Sequence, residues 1–345
     1  MITDDTLREG LQTPGMSFTI SEKIQLARLL SDAGIKRALV SYPSAHKSEV
    51  EVTREIVSKG FFRETYGLGR TVKSDIDIIN GTGANISLHL PFQIDAFGEI
   101  VDAVKYAART DKIVEVGIVD IAKINIDRLM DMARKLEDAG ADVIQLPDTT
   151  GSASPQLMQK VITRARETLK CRIEVHCHND SGGAVANALA GVNAGTDYVD
   201  TCIYGLGERN GITDTASVAR LLEIDGVSTG IDHEKLSKVY ARVMELIMDK
   251  TGNSLFSDNF PCVGRNTNVH TAGTHAAFSG IFKGESFSVN VYTGRTMIKK
   301  ILELSNISLE KEQLILLTDQ VKDIAVSTGK TVSSAEIVKL AGEML

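Results

Sequence analysis

Asp138-Ala139-Gly140-Ala141-Asp142-Val143-Ile144-Gln145-Leu146 and Asn193-Ala194-Gly195-Thr196-Asp197-Tyr198-Val199-Asp200-Thr201 are near copies of one unit. Each closes a helical stretch at a glycine and runs at once into a short apolar strand. Glycine supplies the left-handed turn that lets a chain reverse out of a helix. Gly34 and Gly60 punctuate the chain in the same way. Working outward, strand candidates fall at 2–7, 36–41, 63–68, 84–90, 112–119, 141–147, 171–178 and 197–204. Helical patterns follow them at about 20–32, 47–58, 74–80, 98–107, 126–138, 154–167, 183–194 and 213–224. Eight strand–helix units in about 225 residues predict an α/β fold, a closed (β/α)8 or TIM barrel. The competing arrangement is an open doubly wound sheet. No Gly-x-Gly-x-x-Gly follows the first strand, and Gly67-Leu68-Gly69 and Gly205-Leu206-Gly207 are only fragments of that pattern.

Beyond about 226 the pattern changes. A helix is expected near 232–250, an irregular Gly-, Asn- and Pro-containing stretch over 251–275, and further helices near 295–304, 309–327 and 333–344. The expected division is a catalytic barrel over 1–228 and a helical C-terminal extension over 229–345, serving as lid and dimerisation element, with no regulatory domain. A hydrophobic content of 43% and a charged content of 24% are those of a globular chain. The net charge of −7, without a basic tract, argues against nucleic-acid binding. No run of about 18 apolar residues is present, which argues against a membrane span. Charge appears by Asp4, so no secretory leader is expected, and Cys171, Cys177, Cys202 and Cys262 form no Cys-x-x-Cys pair. These features predict reduced thiols in a cytoplasmic protein.

In a barrel, chemistry gathers where the strands end. The strand-end residues here include Arg8, Glu9, Ser41, Arg70, His89, Asp120, Asp148, Thr149, His176, His178 and Tyr204. Glu174-Val175-His176-Cys177-His178-Asn179-Asp180 is the densest group. Side chains alternate along a strand, so Glu174, His176 and His178 share one face and Cys177 lies on the other. Two imidazoles so placed can bind one divalent metal, with the carboxylate beside them for support or acid–base work. The polar cluster Asp4–Gln12 at the other end of the barrel sequence offers an anionic ligand. Arg8 within it has two readings, an electrostatic partner for developing negative charge or an ion pair with a nearby carboxylate. His46 and His233 stand at expected helix starts among polar residues and read as surface groups.

Taken in order, Leu7-Arg8-Glu9-Gly10-x-Gln12, Asp148-Thr149-x-Gly151, Glu174-x-His176-x-His178-Asn179-Asp180 and Gly205-Leu206-Gly207-Glu208-Arg209-Asn210-Gly211-Ile212-Thr213 resemble the DRE-TIM metallolyases. The Gly-x-Gly-Glu-Arg block is similar to the Claisen-condensing branch, which holds isopropylmalate, homocitrate and citramalate synthases. Val263-Gly264-Arg265-Asn266, His270-x-x-Gly273-x-His275 and Thr293-Gly294-Arg295 resemble that branch's segment after the barrel. The resemblance spans about 1–300. It implies metal ligation by Glu9, His176 and His178, with Mg, Mn or Zn all compatible. Glu9 in place of the usual Asp, with Arg209–Thr213, looks most like homocitrate synthase. The resemblance further implies that open metal positions take the carboxylate and keto oxygen of a 2-oxo acid, and that acetyl-CoA is the co-substrate. Arg8 and Glu174 take catalytic roles in this reading. Gln12, Thr149, His89 and Lys123 bind substrate. His275 is the base or acid that works on the acyl-CoA methyl group. A homodimer is implied, with the segment after the barrel completing the partner's site.

Three departures bear on the substrate. The synthases carry an acidic residue where this chain has Leu39, in Leu39-Val40-Ser41-Tyr42-Pro43. Their Glu-Asp-x-x-Arg reads Val119-Asp120-Ile121-Ala122-Lys123 here, which keeps a positive charge and loses the two-pronged grip on a distal carboxylate. Tyr292 is the nearest counterpart of their catalytic tyrosine. A lyase is the alternative reading, because Arg8-Glu9-Gly10-Leu11-Gln12 is close to the opening of hydroxymethylglutaryl-CoA lyase. That enzyme's reactive Cys has no counterpart in Gly207-Glu208-Arg209, which favours condensation. A hydroxy-oxo-acid aldolase and a catalytically lapsed partner subunit complete the alternatives.

Overall fold

The computed structural model describes residues 1–91, 96–267, 269–270 and 286–345. They form two compact units, Met1–Leu255 and Phe256–Leu345. In the first, eight parallel strands close into a barrel in chain order. They are β1 (Ile2–Asp4), β2 (Arg37–Ser41), β3 (Glu64–Arg70), β4 (Asn85–His89), β5 (Val114–Gly117), β6 (Val143–Asp148), β7 (Arg172–Cys177) and β8 (Tyr198–Thr201). β1 pairs with β8, with Thr3 opposite Asp200, so the sheet has no free edge. The helices that follow the strands are α1 (Ile20–Asp32), α2 (Lys47–Lys59), α3 (Lys73–Asn80), α4 (Phe97–Ala107), α5 (Ile126–Asp138), α6 (Pro155–Thr168), α7 (Ala184–Asn193) and α8 (Thr215–Ile224).

Local chemistry sets these boundaries. Thr19 and Glu22 form a reciprocal capping box at the start of α1. Ser154 caps α6 ahead of Pro155, whose missing N–H costs nothing in a first helical turn. Gly34 and Gly140 leave their helices at φ values of 101° and 105°. A side chain on Gly34 would also meet the Gly230 carbonyl oxygen at 2.3 Å, so only glycine fits there. Outward-facing strand residues such as Ile86, Val116, Ile173 and Val175 are fully buried under the helices. Each such side chain contributes about 1.5–3 kcal/mol.

A ninth helix, α9 (His233–Thr251), belongs to the barrel unit. It lies along α1, with Arg242 Nε 3.0 Å from Gln25 Oε1 and Lys250 Nζ 3.0 Å from Glu22 Oε1. The observed division therefore falls after Leu255, later than the 228/229 boundary expected from the loss of strand–helix alternation.

The second unit combines α10 (Arg295–Leu304), α11 (Lys311–Thr328) and α12 (Ser334–Gly342) with three short strands, β9 (Val269–His270), β10 (Ser286–Val289) and β11 (Val332–Ser333). β10 lies between the other two. Val289, Met297, Ile298, Ile301, Leu317 and Val321 are among its core residues. The extension is thus mixed rather than purely helical. No helix of the described residues is long and apolar enough to cross a membrane.

Candidate active site

Residues from β1, β7 and β8 meet inside the upper end of the barrel. A 3-10 turn, Glu9–Gln12, follows β1 directly and holds Arg8 and Glu9 there. His176 ends the inward row of β7, and His178 follows just beyond the strand, both nearly buried. Their Nε2 atoms lie 3.3 Å apart. His176 Nδ1 is 2.7 Å from Asp200 Oδ2, and donation from Nδ1 to that carboxylate would leave the Nε2 lone pair for a ligand. His178 Nδ1 is buried without a partner. Burial pushes both imidazoles down to about 4, so they are neutral near pH 7.

Glu9 supplies the anionic member. Burial opposes its ionisation, but Arg8, His176, the Glu208 N–H and His178 hold its carboxyl below the usual range. Arg8 Nη1 lies 2.5 Å from Glu9 Oε2, and its Nη2 pairs with Asp5. Glu208 N donates to Glu9 Oε1 at 3.1 Å. With its amide turned to donate, Gln12 reaches both Glu9 oxygens, at 2.7 and 2.9 Å. Gln12 thus stands beside the Glu9 carboxylate.

The imidazole pair fits a divalent metal. Two nitrogens bound at about 2.1 Å with a tetrahedral angle between them lie roughly 3.4 Å apart, close to the observed imidazole pair. The acidic surroundings are also short of positive charge. Burial pushes Asp5 and Asp200 well above the carboxylate range in spite of Arg8. Among the described residues, Asp5, His176 and Asp200 are the three whose ligand-type atoms all lie within 4.8 Å of one another, a closeness that Glu9, His176 and His178 do not share. Asp5 is already engaged by Arg8, and Asp200 by His176 Nδ1, so this trio reads as support behind the imidazoles.

The other sequence candidates are scattered around this centre. Thr149 follows β6, and its Oγ1 is buried and unpartnered. His89 ends β4, stands edge-on to Tyr42 with ring centroids 6.1 Å apart, and also has an unpartnered buried Nδ1. Burial and the Arg8 charge lower its pKa. Lys123 is exposed in the loop after β5. Glu174 faces inward one layer below His176, where its Oε2 accepts from Arg37 at 2.8 Å. The carboxylate that holds His176 is therefore Asp200, not Glu174. His275 lies outside the described residues, and Tyr292 is 83% exposed. Asp200 and Asp5 were missed as functional residues. The period-two alternation that found His176 also puts Asp200 on the inward face of β8 and could have found it.

The family model described as HMGL-like matches residues 1–243. The chain belongs to the HMGL-like family. A 2-isopropylmalate synthase of Methanocaldococcus jannaschii is 37% identical over 289 residues, covering 80% of this chain and 55% of that protein. The homocitrate synthase AksA of the same organism is 29% identical over 372 residues, covering 100% of this chain and 90% of that protein. These relatives place this HMGL-like chain in the Claisen-condensing branch, an acyltransferase class. Among solved structures, the HMG-CoA lyase of Bacillus subtilis superposes with a TM-score of 0.66 at 19% identity. It covers 75% of this chain and 96% of that one, a likeness of fold.

Proposed function

We propose that this HMGL-like protein condenses acetyl-CoA, or a similar acyl-CoA, with a 2-oxo acid and then hydrolyses the thioester, in a reaction that depends on a divalent metal. The observation that carries this reading is the approach of His176 and His178 Nε2 to 3.3 Å, with the Glu9 carboxylate electrostatically coupled to both, in a mouth where Arg8 Nε, Thr149 Oγ1 and His89 Nδ1 are buried and unpartnered. Unpartnered buried polar atoms are costly unless a ligand satisfies them.

Glu9, His176 and His178 would hold the metal, which when bound supplies a Lewis acid for the keto group. Asp200 keeps His176 in the tautomer that ligation needs. Arg8, pinned by Asp5 and Glu9, would present its unpartnered Nε–H to the oxygen on which negative charge develops. Thr149 and Gln12 would take the substrate carboxylate, and His89 its side chain. A base removes one proton from the acyl methyl group, the new carbon–carbon bond forms at the keto carbon, and the resulting oxyanion takes up a proton. Water then cleaves the thioester and releases the coenzyme A thiol. We assign the base to His275, and a homodimer would bring that segment to the partner's barrel. Glu174, held by Arg37, fits a supporting role better than a catalytic one, and Lys123 would take a distal group of the substrate.

The test is thiol release from acetyl-CoA with Mg, Mn or Zn and a panel of 2-oxo acids, including 2-oxoglutarate, 2-oxoisovalerate, pyruvate, oxaloacetate and glyoxylate. Metal-dependent release with one acid, absent in His176→Ala, is the expected result. Silence across the panel in metal-loaded protein would move the assignment to a lyase.

A further inference from the structure

The loop after β8 touches every segment that carries a candidate ligand. On one side it abuts Glu9. Glu208 N donates to Glu9 Oε1 at 3.1 Å, and a Cβ on Gly207 would stand 3.1 Å from that same oxygen. Thr13 Oγ1 fastens the loop there, accepting from Gly207 N at 2.8 Å. On the other side, Asn179 N donates to the Gly211 carbonyl at 2.9 Å, next to His178. Between these contacts stands Arg209, a non-glycine residue at φ 56°. Such a conformation persists only where the surroundings hold it.

Its guanidinium provides that hold. Nε donates to Asp180 Oδ1 at 2.8 Å, and Nη2 donates to Asp180 Oδ2 at 3.0 Å and to the Thr149 carbonyl at 2.6 Å. One side chain thus joins the loop after β8 to the loops after β6 and β7. Gly151 is packed so closely on Asp180 that a Cβ there would meet its Oδ2 at 2.4 Å. The Arg209 side chain is 39% exposed. Ion pairs that face solvent contribute little to global stability, so this clamp is poorly explained as a device for folding.

We propose that Arg209 is a positioning residue, which locks the loops after β6, β7 and β8 together and thereby sets the spacing of Glu9, His178 and Thr149 about the metal. The proposal rests on the metal reading of the site given above. Lysine at this position keeps the charge and loses the planar fork that grips Asp180 and the Thr149 carbonyl together.

The experiment compares wild type, Arg209→Lys, Arg209→Ala and Asp180→Asn by calorimetric titration with Mn or Zn, by the visible spectrum of the Co-loaded protein, and by thermal unfolding. Wild type is expected to bind one metal per chain. Arg209→Lys should bind it about tenfold more weakly, as expected for loss of a group that orients ligands. Its Co spectrum should change and its Tm should stay within a few degrees of wild type. Asp180→Asn should weaken binding in the same direction. Wild-type affinity and an unchanged Co spectrum in both Arg209→Lys and Asp180→Asn would overturn the proposal and leave the metal reading standing. A wild type that binds no metal would overturn both. Should Arg209→Ala fail to fold, the lysine variant still decides.

Discussion

The barrel holds two buried arginines among carboxylates, and they differ in how completely they are satisfied. In the lower half, Arg37 donates from Nε to Thr3 Oγ1 at 3.0 Å, from Nη1 to Glu64 at 2.8 Å, and from Nη2 to Glu174 at 2.8 Å and to Glu115. Its guanidinium also lies 4.0 Å from the ring centre of Tyr66 and 4.2 Å from that of Tyr198. All three of its nitrogens are engaged, and both faces are covered. At the mouth, Arg8 is held by Asp5 and Glu9 but keeps a buried Nε without a partner. The imidazoles beside it bring their Nε2 atoms to within 3.3 Å of each other. Arg37 is thus fully engaged, though Glu174 Oε1 beside it is buried without a partner, whereas Arg8, His89, Thr149 and His178 all keep unpartnered buried atoms at the mouth. Similar residue types thus serve architecture in one layer and chemistry in the next.

The largest expected effect comes from breaking the Arg37 cluster. Arg37→Met leaves Glu64, Glu115 and Glu174 buried without their cation, and should cost about 3–5 kcal/mol of stability. Urea or thermal unfolding measures it, and a variant as stable as wild type would show that the hub bears no such weight. Arg8→Gln should do the reverse. In metal-loaded protein it should lower kcat/KM by about 10²–10³-fold, in the range of a lost oxyanion donor, with a much smaller loss of Tm than Arg37→Met. Comparable losses of stability in the two variants would erase the distinction.

Asp200 and Glu174 sharpen the boundary between the layers. Asp200→Asn should weaken metal binding by about 10–100-fold, because the imidazole loses the carboxylate that orients it. Glu174→Gln, on the same strand face but bonded to Arg37, should change metal affinity far less. Equal effects would mean that the depth assigned to Glu174 is wrong.

The smallest effect is on pH dependence. In metal-free protein, burial puts His176 and His178 at about 4, whereas an unfolded imidazole titrates near 6.5. Between about pH 6.5 and 4 the unfolded chain takes up protons that the folded chain refuses. These two groups therefore lower stability as pH falls through that window and are neutral in effect above it. Thermal unfolding of the metal-free protein at pH 5, 6 and 7 should show a shallower acid-side fall in His176→Ala than in wild type.

Much of this was legible in the sequence, for physical reasons. The barrel could be read because several strand–helix units repeat the same turn chemistry, most plainly at Gly140 and Gly195. The imidazole pair could be read because strand alternation fixes the face on which a side chain emerges. Alternation does not fix depth. Glu174 and His176 share a face but stand about 7 Å apart along the strand, which is one full layer of the barrel. The partner that claims Glu174 arrives from β2, and nothing local to residues 171–178 announces it. Alternation puts Asp200 on the inward face of β8, but its pairing with His176 exists only when β8 lies beside β7. The strands β9 and β11, at two residues each, are too short to show any period. α9 carries the helical period expected of it but not the information that it packs on α1.

The measurement that tests the central claim most directly is a calorimetric titration of the metal-free protein with Mn or Zn, repeated on His176→Ala and His178→Ala. The account predicts one tight site per chain in wild type, lost or weakened at least a hundredfold in each variant while the barrel stays folded. Full-affinity binding in both variants, or no binding by the folded wild type, would contradict it.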